Sequence, residues 1–344
     1  MNSVLGKIIK LAIVASVLVV VAGCNYNSQS VVNAVAKEPT KKGAWLAYWD
    51  LDAGEKDLKN MGKQLEKLSY FGAYFDKNDH LFIPQELSDK RSELKKTKEK
   101  YTTYLTFVND KQNAEGSVVI KDTEVLRSLF ADDSAMEKHI DEIIALTLQG
   151  KYDGIEVDYE RIWKDEKIGQ SFLRFTDKLY VKALKNKLKL RIVLEPSTPF
   201  STVGFFKGPE YVVMLYNLYG LHSTPGAKAN KDFIQKMISR MDSVPGEKSV
   251  AFSTGGCMWG DNGEKKFLTE VEAKTLVMVY DRETRRDEDS QCIVFDYMDK
   301  GVSYQVWYAD GKTLNYWIAI AKEQGVNNIS LWRLGGNVDS DNIK

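Results

Sequence analysis

The stretch "YDGIEVDYE", Tyr152 to Glu160, sets four carboxylates (Asp153, Glu156, Asp158 and Glu160) within eight positions of a segment whose other residues suit a buried strand. Side chains alternate along a strand, so Ile155, Val157 and Tyr159 share one face while Glu156, Asp158 and Glu160 share the other. In a barrel strand the apolar face packs on surrounding helices. The three acids then point into the barrel, with Glu160 nearest the C-terminal end, where such barrels do their chemistry. Crowded carboxylates raise one another's pKa, which can keep one of them protonated near neutral pH and able to donate a proton. The competing role is structural: Arg161 follows directly and Arg191 lies on the next strand, so the acids could instead be neutralised by buried arginine.

The surrounding sequence supports the barrel. Apolar or aromatic runs occur at 44–50, 70–76, 101–110, 152–160, 188–197, 211–220, 249–256 and 327–336. Between several of them lie helical stretches with apolar residues at three- and four-residue spacing, clearest at 134–151 and 169–187. Eight strand–helix units over about 300 residues predict an α/β fold, a (β/α)8 TIM barrel, with an open doubly wound sheet as the competing arrangement. The alternation fails at about 260–310. There a helical segment, the charged loop "RETRRDEDSQ" and the alternating runs "CIVFDYM" and "VSYQVWYA", joined by "DKG", predict a small α+β insertion between strands 7 and 8.

Composition limits the partners. The chain has 344 residues, and its 48 basic and 48 acidic side chains balance, so no nucleic-acid partner is expected. Lys7 and Lys10 precede the apolar run Leu11 to Ala22, which is short for a membrane span but suits a signal peptide. It ends in "VAGC", which resembles the lipobox of bacterial lipoproteins. The expectation is a signal peptide over 1–23, lipid attachment at Cys24, a polar tether over 24–42 and a folded domain over 43–344. That places the protein outside the cytoplasm, anchored to the bacterial membrane by its lipid, as a monomer. Pairing of the other two cysteines, Cys257 and Cys292, is left open.

The acidic stretch resembles the fourth-strand motif of glycoside hydrolase family 18, the chitinase-like family, Asp-x-x-Asp-x-Asp-x-Glu. Asp153, Asp158 and Glu160 match, and Glu156 replaces the second acid. "MLYN" (Met214 to Asn217) resembles the family's Met-x-Tyr-Asp with Asn217 for the acid, and "ISLWRLGG" supplies Trp332 where the family places a tryptophan under the sugar. Residues 306–336 are similar to the closing segment of the bacterial branch that includes spore-cortex-lytic N-acetylglucosaminidases.

The resemblance implies cleavage of β-linked N-acetylglucosamine polymers, chitin-like or peptidoglycan, by substrate-assisted retaining catalysis. Glu160 is the implied general acid/base, Asp158 and Tyr216 hold and aim the acetamido group, and Glu156, Trp332, Asn217 and Tyr48 are expected to contact substrate. Asn109 and Glu195 are further candidates for the cleft. The Glu156 and Asn217 departures leave room for a lectin-like protein that binds glycan without turnover; a surface scaffold is the remaining option. No cofactor or metal is implied. His80, His139 and His222 are widely spaced, and "DGKT" (Asp310 to Thr313) lacks the first glycine of a phosphate loop and reads as a helix start.

Overall fold

A computed structural model describes residues 38–97, 101–113, 115–338 and 340–344. The expected signal peptide, Cys24 and most of the tether lie outside the described residues. Eight strands form the barrel: β1 (Lys41–Ala47), β2 (Leu65–Phe75), β3 (Thr102–Gln112), β4 (Gly154–Asp158), β5 (Lys189–Leu194), β6 (Glu210–Met214), β7 (Lys248–Ser253) and β8 (Asn328–Trp332). Each pairs in parallel with the next, and β8 pairs with β1, which closes the barrel. β1 starts at Lys41, so Lys41 and Lys42, assigned to the tether, are already paired with Asn328 and Ile329 of β8.

The helices are α1 (Leu51–Met61), α2 (Gln85–Leu94), α3 (Thr123–Leu129), α4 (Asp133–Gln149), α5 (Glu166–Lys185), α6 (Lys231–Arg240), α7 (Glu270–Val279) and α8 (Gly311–Glu323). Aspartates at 132, 165 and 310 accept first-turn backbone N–H bonds and start α4, α5 and α8. The "DGKT" segment is therefore the start of α8. Strand and helix do not alternate throughout: residues 195–209, between β5 and β6, contain Pro196, Pro199, Gly204 and Gly208 and form no helix.

Alternation along β4 sorts the acidic stretch as expected. Ile155, Val157 and Tyr159 join the apolar layer between strands and helices, while Glu156 and Asp158 are buried on the inner side. The turn into β4 needs glycine, because a Cβ on Gly154 would meet the Tyr104 ring at 2.6 Å and the Lys189 carbonyl at 2.8 Å.

A polar layer crosses the barrel interior. The Glu156 carboxylate accepts from Trp45 Nε1 (2.5 Å), Ser69 Oγ (3.0 Å), Thr106 Oγ1 (2.7 Å) and an Arg191 guanidinium nitrogen (2.6 Å). Arg191 also donates to Ser330 on β8 and pairs with Glu210 on β6 (3.4 Å), which pairs with Lys67 on β2 (2.7 Å). The structural role weighed for the acids thus holds for Glu156, which is fully buried.

The insertion is a five-stranded antiparallel sheet with α7 packed on it, running from Gly255 to Ala309 and so beginning five residues before the expected 260. The chain leaves β7 through two glycines: Gly255 has φ +61°, and a Cβ on Gly256 would stand 1.8 Å from the Trp307 carbonyl. Strands Ile293–Asp299 and Val302–Ala309 form the expected hairpin. Cys257 and Cys292 are free and buried. Cys257 faces Trp307 from one side, and Val294, two residues past Cys292, faces it from the other. Two strand spacings, roughly 10 Å, separate their rows, beyond the reach of a disulfide.

Removing one member of the buried pair leaves the other charged and unsolvated. Arg191→Met is expected to lower unfolding free energy by about 3–5 kcal/mol, measured by urea denaturation, with much of the loss recovered in Glu156→Leu/Arg191→Met.

Candidate active site

A cavity of about 890 Å³ opens at the C-terminal ends of the strands, between the barrel mouth and the insertion. Asp158, Glu160, Tyr216, Asn217, Trp332, Asn109 and Glu195 all line it, so seven of the candidate site residues from sequence share one space. Glu156 and Tyr48 do not. Glu156 is saturated by its four donors and belongs to the polar layer, not to a substrate surface. Tyr48 falls in a 3-10 turn after β1 and packs edge-on against Trp49 and Tyr74. Trp49 is the one that lines the cavity. β1 ends at Ala47 and the turn redirects the next three side chains, which strand alternation carried through to residue 50 could not foresee.

Aromatic rings make one wall. Trp332 meets Phe71 at 4.7 Å and Trp45 at 5.9 Å, both edge-on, and Trp49 stands 6.3 Å away. Opposed to this apolar wall is a concentration of acid. Asp158 is buried, one carboxylate oxygen lacks a hydrogen-bond partner, and burial with the charges of Glu160 and Glu156 drives its pKa well up. Burial also raises Glu160; Lys121 opposes this, and a hydrogen bond shared with the Glu195 carboxyl adds to it. Burial raises Asp110 nearby. Tyr216 is pushed far above its ordinary range by burial first and the acids second, so its hydroxyl keeps its proton and remains a donor.

Glu160 is held on several sides. Its backbone N–H donates to Asn109 Oδ1 (2.9 Å), and the Asn109 amide donates back to the Glu160 carbonyl (3.1 Å). Lys121 Nζ donates to its carboxylate. Glu195, which accepts from the Arg161 N–H at 2.6 Å, completes the surround. Asn109 and Glu195 were candidates from their strand-end positions. Lys121 was not, because it lies past the end of β3 at φ +59° and no local pattern marks it. The histidines stay apart: His139 is buried against Tyr159 with its pKa lowered to about 3, His80 is exposed, and His222 stands at the cavity wall.

No family model matches the chain. It is 22% identical over 265 residues to an uncharacterised glycosylase of Bacillus subtilis, covering 70% of this chain and 76% of that protein. It is 24% identical over 227 residues to a cortical fragment-lytic enzyme of Bacillus anthracis, covering 60% of this chain but only about half (52%) of that one. Among solved structures, the spore cortex-lytic enzyme SleL of Bacillus cereus superposes with TM-score 0.75 at 19% identity, over 89% of this chain and 73% of that one. A chitinase of Chromobacterium violaceum superposes with TM-score 0.74 at 16% identity, over 88% and 96%. A tobacco class V chitinase in complex with NAG4 gives 0.69 at 14%, over 88% and 99%. The barrel is the fold of these chitinases and cortex-lytic enzymes, and the sequence relatives are a glycosylase and a cortical fragment-lytic enzyme.

The raised acid at Asp158 has a thermodynamic consequence. A carboxyl whose pKa is higher folded than unfolded binds more protons in the native state, so stability falls as pH rises from the unfolded value through the folded one. Asp158→Asn removes that penalty. It is expected to raise the melting temperature at pH 7, with the gain vanishing as pH falls into the ordinary aspartate range; thermal unfolding at a series of pH values checks this.

Proposed function

We propose that the protein is a glycoside hydrolase that cleaves β-linked N-acetylglucosamine-containing polysaccharide with retention, the substrate's own 2-acetamido group serving as nucleophile. The observation that carries this reading is the convergence of Glu160, Asp158 and Tyr216 in one cavity beside the Trp332 wall. Sugar rings present an apolar face to such a wall, and their polar edges then meet the acids.

In the first step Glu160 gives its proton to the glycosidic oxygen, the C1–O bond breaks, and the acetamido carbonyl oxygen bonds to C1. The leaving sugar departs as an alcohol. Asp158 accepts the acetamido N–H through its unpartnered oxygen and stabilises the positive charge of the oxazolinium ring, while the Tyr216 hydroxyl donates to the acetamido oxygen. In the second step the Glu160 carboxylate takes a proton from water as its oxygen attacks C1, and the ring opens. Burial and Glu195 favour the protonated Glu160 that the first step needs. Lys121 favours the carboxylate left after transfer. A group pulled both ways suits a residue that must serve as acid and then as base.

Glu160→Gln is expected to reduce hydrolysis of N-acetylglucosamine oligomers by a factor of at least about 10², with binding retained; product analysis by mass spectrometry checks it. Binding without hydrolysis by the unaltered protein would favour the lectin reading instead. Lys121→Met removes the influence that lowers the Glu160 pKa. Activity that requires protonated Glu160 declines as pH rises through that pKa, so the alkaline limb of the pH–rate profile is expected to move to higher pH. A downward movement would contradict the assignment.

We also propose an extracytoplasmic location, with the barrel tethered through lipid on Cys24. The "VAGC" sequence after a basic and apolar leader supports this. Cys24→Ala is expected to move the protein from the membrane fraction to the soluble one.

A further inference from the structure

The cavity carries a cation that the proposed chemistry does not use. Lys228, in the loop between β6 and α6, lines the cavity beside Ser253 at the end of β7. Its Nζ donates to Ser253 Oγ at 2.9 Å and lies 4.9 Å from the centre of the Phe267 ring. The Ser253 hydroxyl is turned to the Thr254 carbonyl (3.0 Å), which leaves its oxygen to accept from the lysine. Among the described residues no carboxylate forms an ion pair with Lys228.

The other cavity charges are placed differently. Lys121 is held by Glu160, Arg333 by Asp50 at 2.7 Å, and Arg161 is exposed at the rim. Glu272, the acid on the insertion side, is occupied by Lys266 at 3.1 Å and by the Thr269 N–H at 2.8 Å. The thiols of Cys257 and Cys292 are near enough to act on Lys228, but burial raises the pKa of both, that of Cys292 to about 12, so they stay uncharged. Burial lowers the lysine's own pKa, the mark of a cation without a counter-ion. A partly desolvated ammonium aimed into a binding cavity gains most from an anion supplied by the ligand.

We propose that Lys228, oriented by Ser253, forms a subsite for a carboxylate carried on the amino-sugar substrate. β7 stands three strands from β4 around the barrel, so this anion is gripped across the mouth from Glu160 and not at the scissile bond. The fitting chemistry is a glycan whose 3-O-lactyl carboxylate is free of peptide. A peptide-linked lactyl group is an amide and has no charge to offer, and a polymer of N-acetylglucosamine alone has none either. The inference rests on the glycosidase reading and narrows its substrate: strands already stripped of peptide, the product of an amide-hydrolysing reaction, would be preferred.

The test measures affinity by calorimetry in the Glu160→Gln background, so that ligands persist. Three forms of one lactyl-bearing oligosaccharide are compared: free acid, methyl ester and peptide amide. A uronic-acid oligomer distinguishes a lactyl source of the charge from another sugar carboxylate. The free acid is expected to bind about tenfold more tightly than the ester or amide, a preference that weakens with salt. Lys228→Met should bring the acid-to-ester ratio to about one, and Lys228→Arg should restore most of it. Equal affinity for acid and ester, or a Lys228→Met loss equal for both, would overturn the subsite. A uronate bound as tightly as the lactyl acid would overturn the lactyl assignment. Hydrolysis by the unaltered protein with no acid preference would overturn the subsite alone. An acid preference without hydrolysis would uphold it and overturn the glycosidase reading.

Discussion

The bond between Glu156 and Arg191 holds the centre of this barrel. A closed barrel interior must be filled, and a charge placed there must be met by another or its desolvation is uncompensated. Here one carboxylate draws donors from β1, β2, β3 and β5, and the arginine reaches on to β8 and β6. Six of the eight strands thereby fix their positions relative to β4. Hydrophobic residues of equal volume could fill the same space, but without directional bonds they would specify strand positions less closely. Arg191 also lies 5.7 Å from the Trp45 ring centre and 5.2 Å from that of Tyr104, so the charge is covered by aromatic faces as well as acids.

Above that layer the balance of charge reverses. Asp158, Glu160, Glu195 and Asp110 crowd the mouth, and Lys121 pairs with Glu160 there. The acids at the mouth whose pKa values burial raises destabilise the fold at neutral pH. The division follows from depth. Glu156 is surrounded by donors from the strands themselves, whereas Asp158, two residues on, stands at the edge of the cavity with an oxygen left unpartnered. An unpartnered acid facing a cavity is costly to folding and useful to a ligand that brings an N–H. The same logic, with sign reversed, applies to Lys228 across the mouth.

Much of this was legible in the sequence because it is local. Alternation fixed which side of β4 is acidic, and all eight strand runs are strands. The hairpin and the start of α8 follow from turn and cap residues within a few positions. The mouth residues Asp158, Glu160, Tyr216, Asn217 and Trp332 could be proposed because each sits at the end of a strand, and strand ends in a closed parallel barrel converge. Tyr48 and Glu156 mark the boundary of that reasoning: a 3-10 turn rotates Trp49 into the cavity in place of its neighbour, and donors from four other strands take Glu156 out of the site.

By itself, then, the sequence determined the element types, most of the alternation of strand and helix, and which acids face inward, since all of these depend on residues a few positions apart. Tertiary structure alone decided which inward acid is locked in the polar layer and which faces the cavity. It also decided that Lys121 meets Glu160, that Cys257 and Cys292 are separated by an intervening strand, and that Lys228 has no counter-ion among the described residues. Each of these is set by groups 25 or more residues apart whose charges and hydrogen bonds interact only once the barrel has closed, and no pattern along the chain records that meeting.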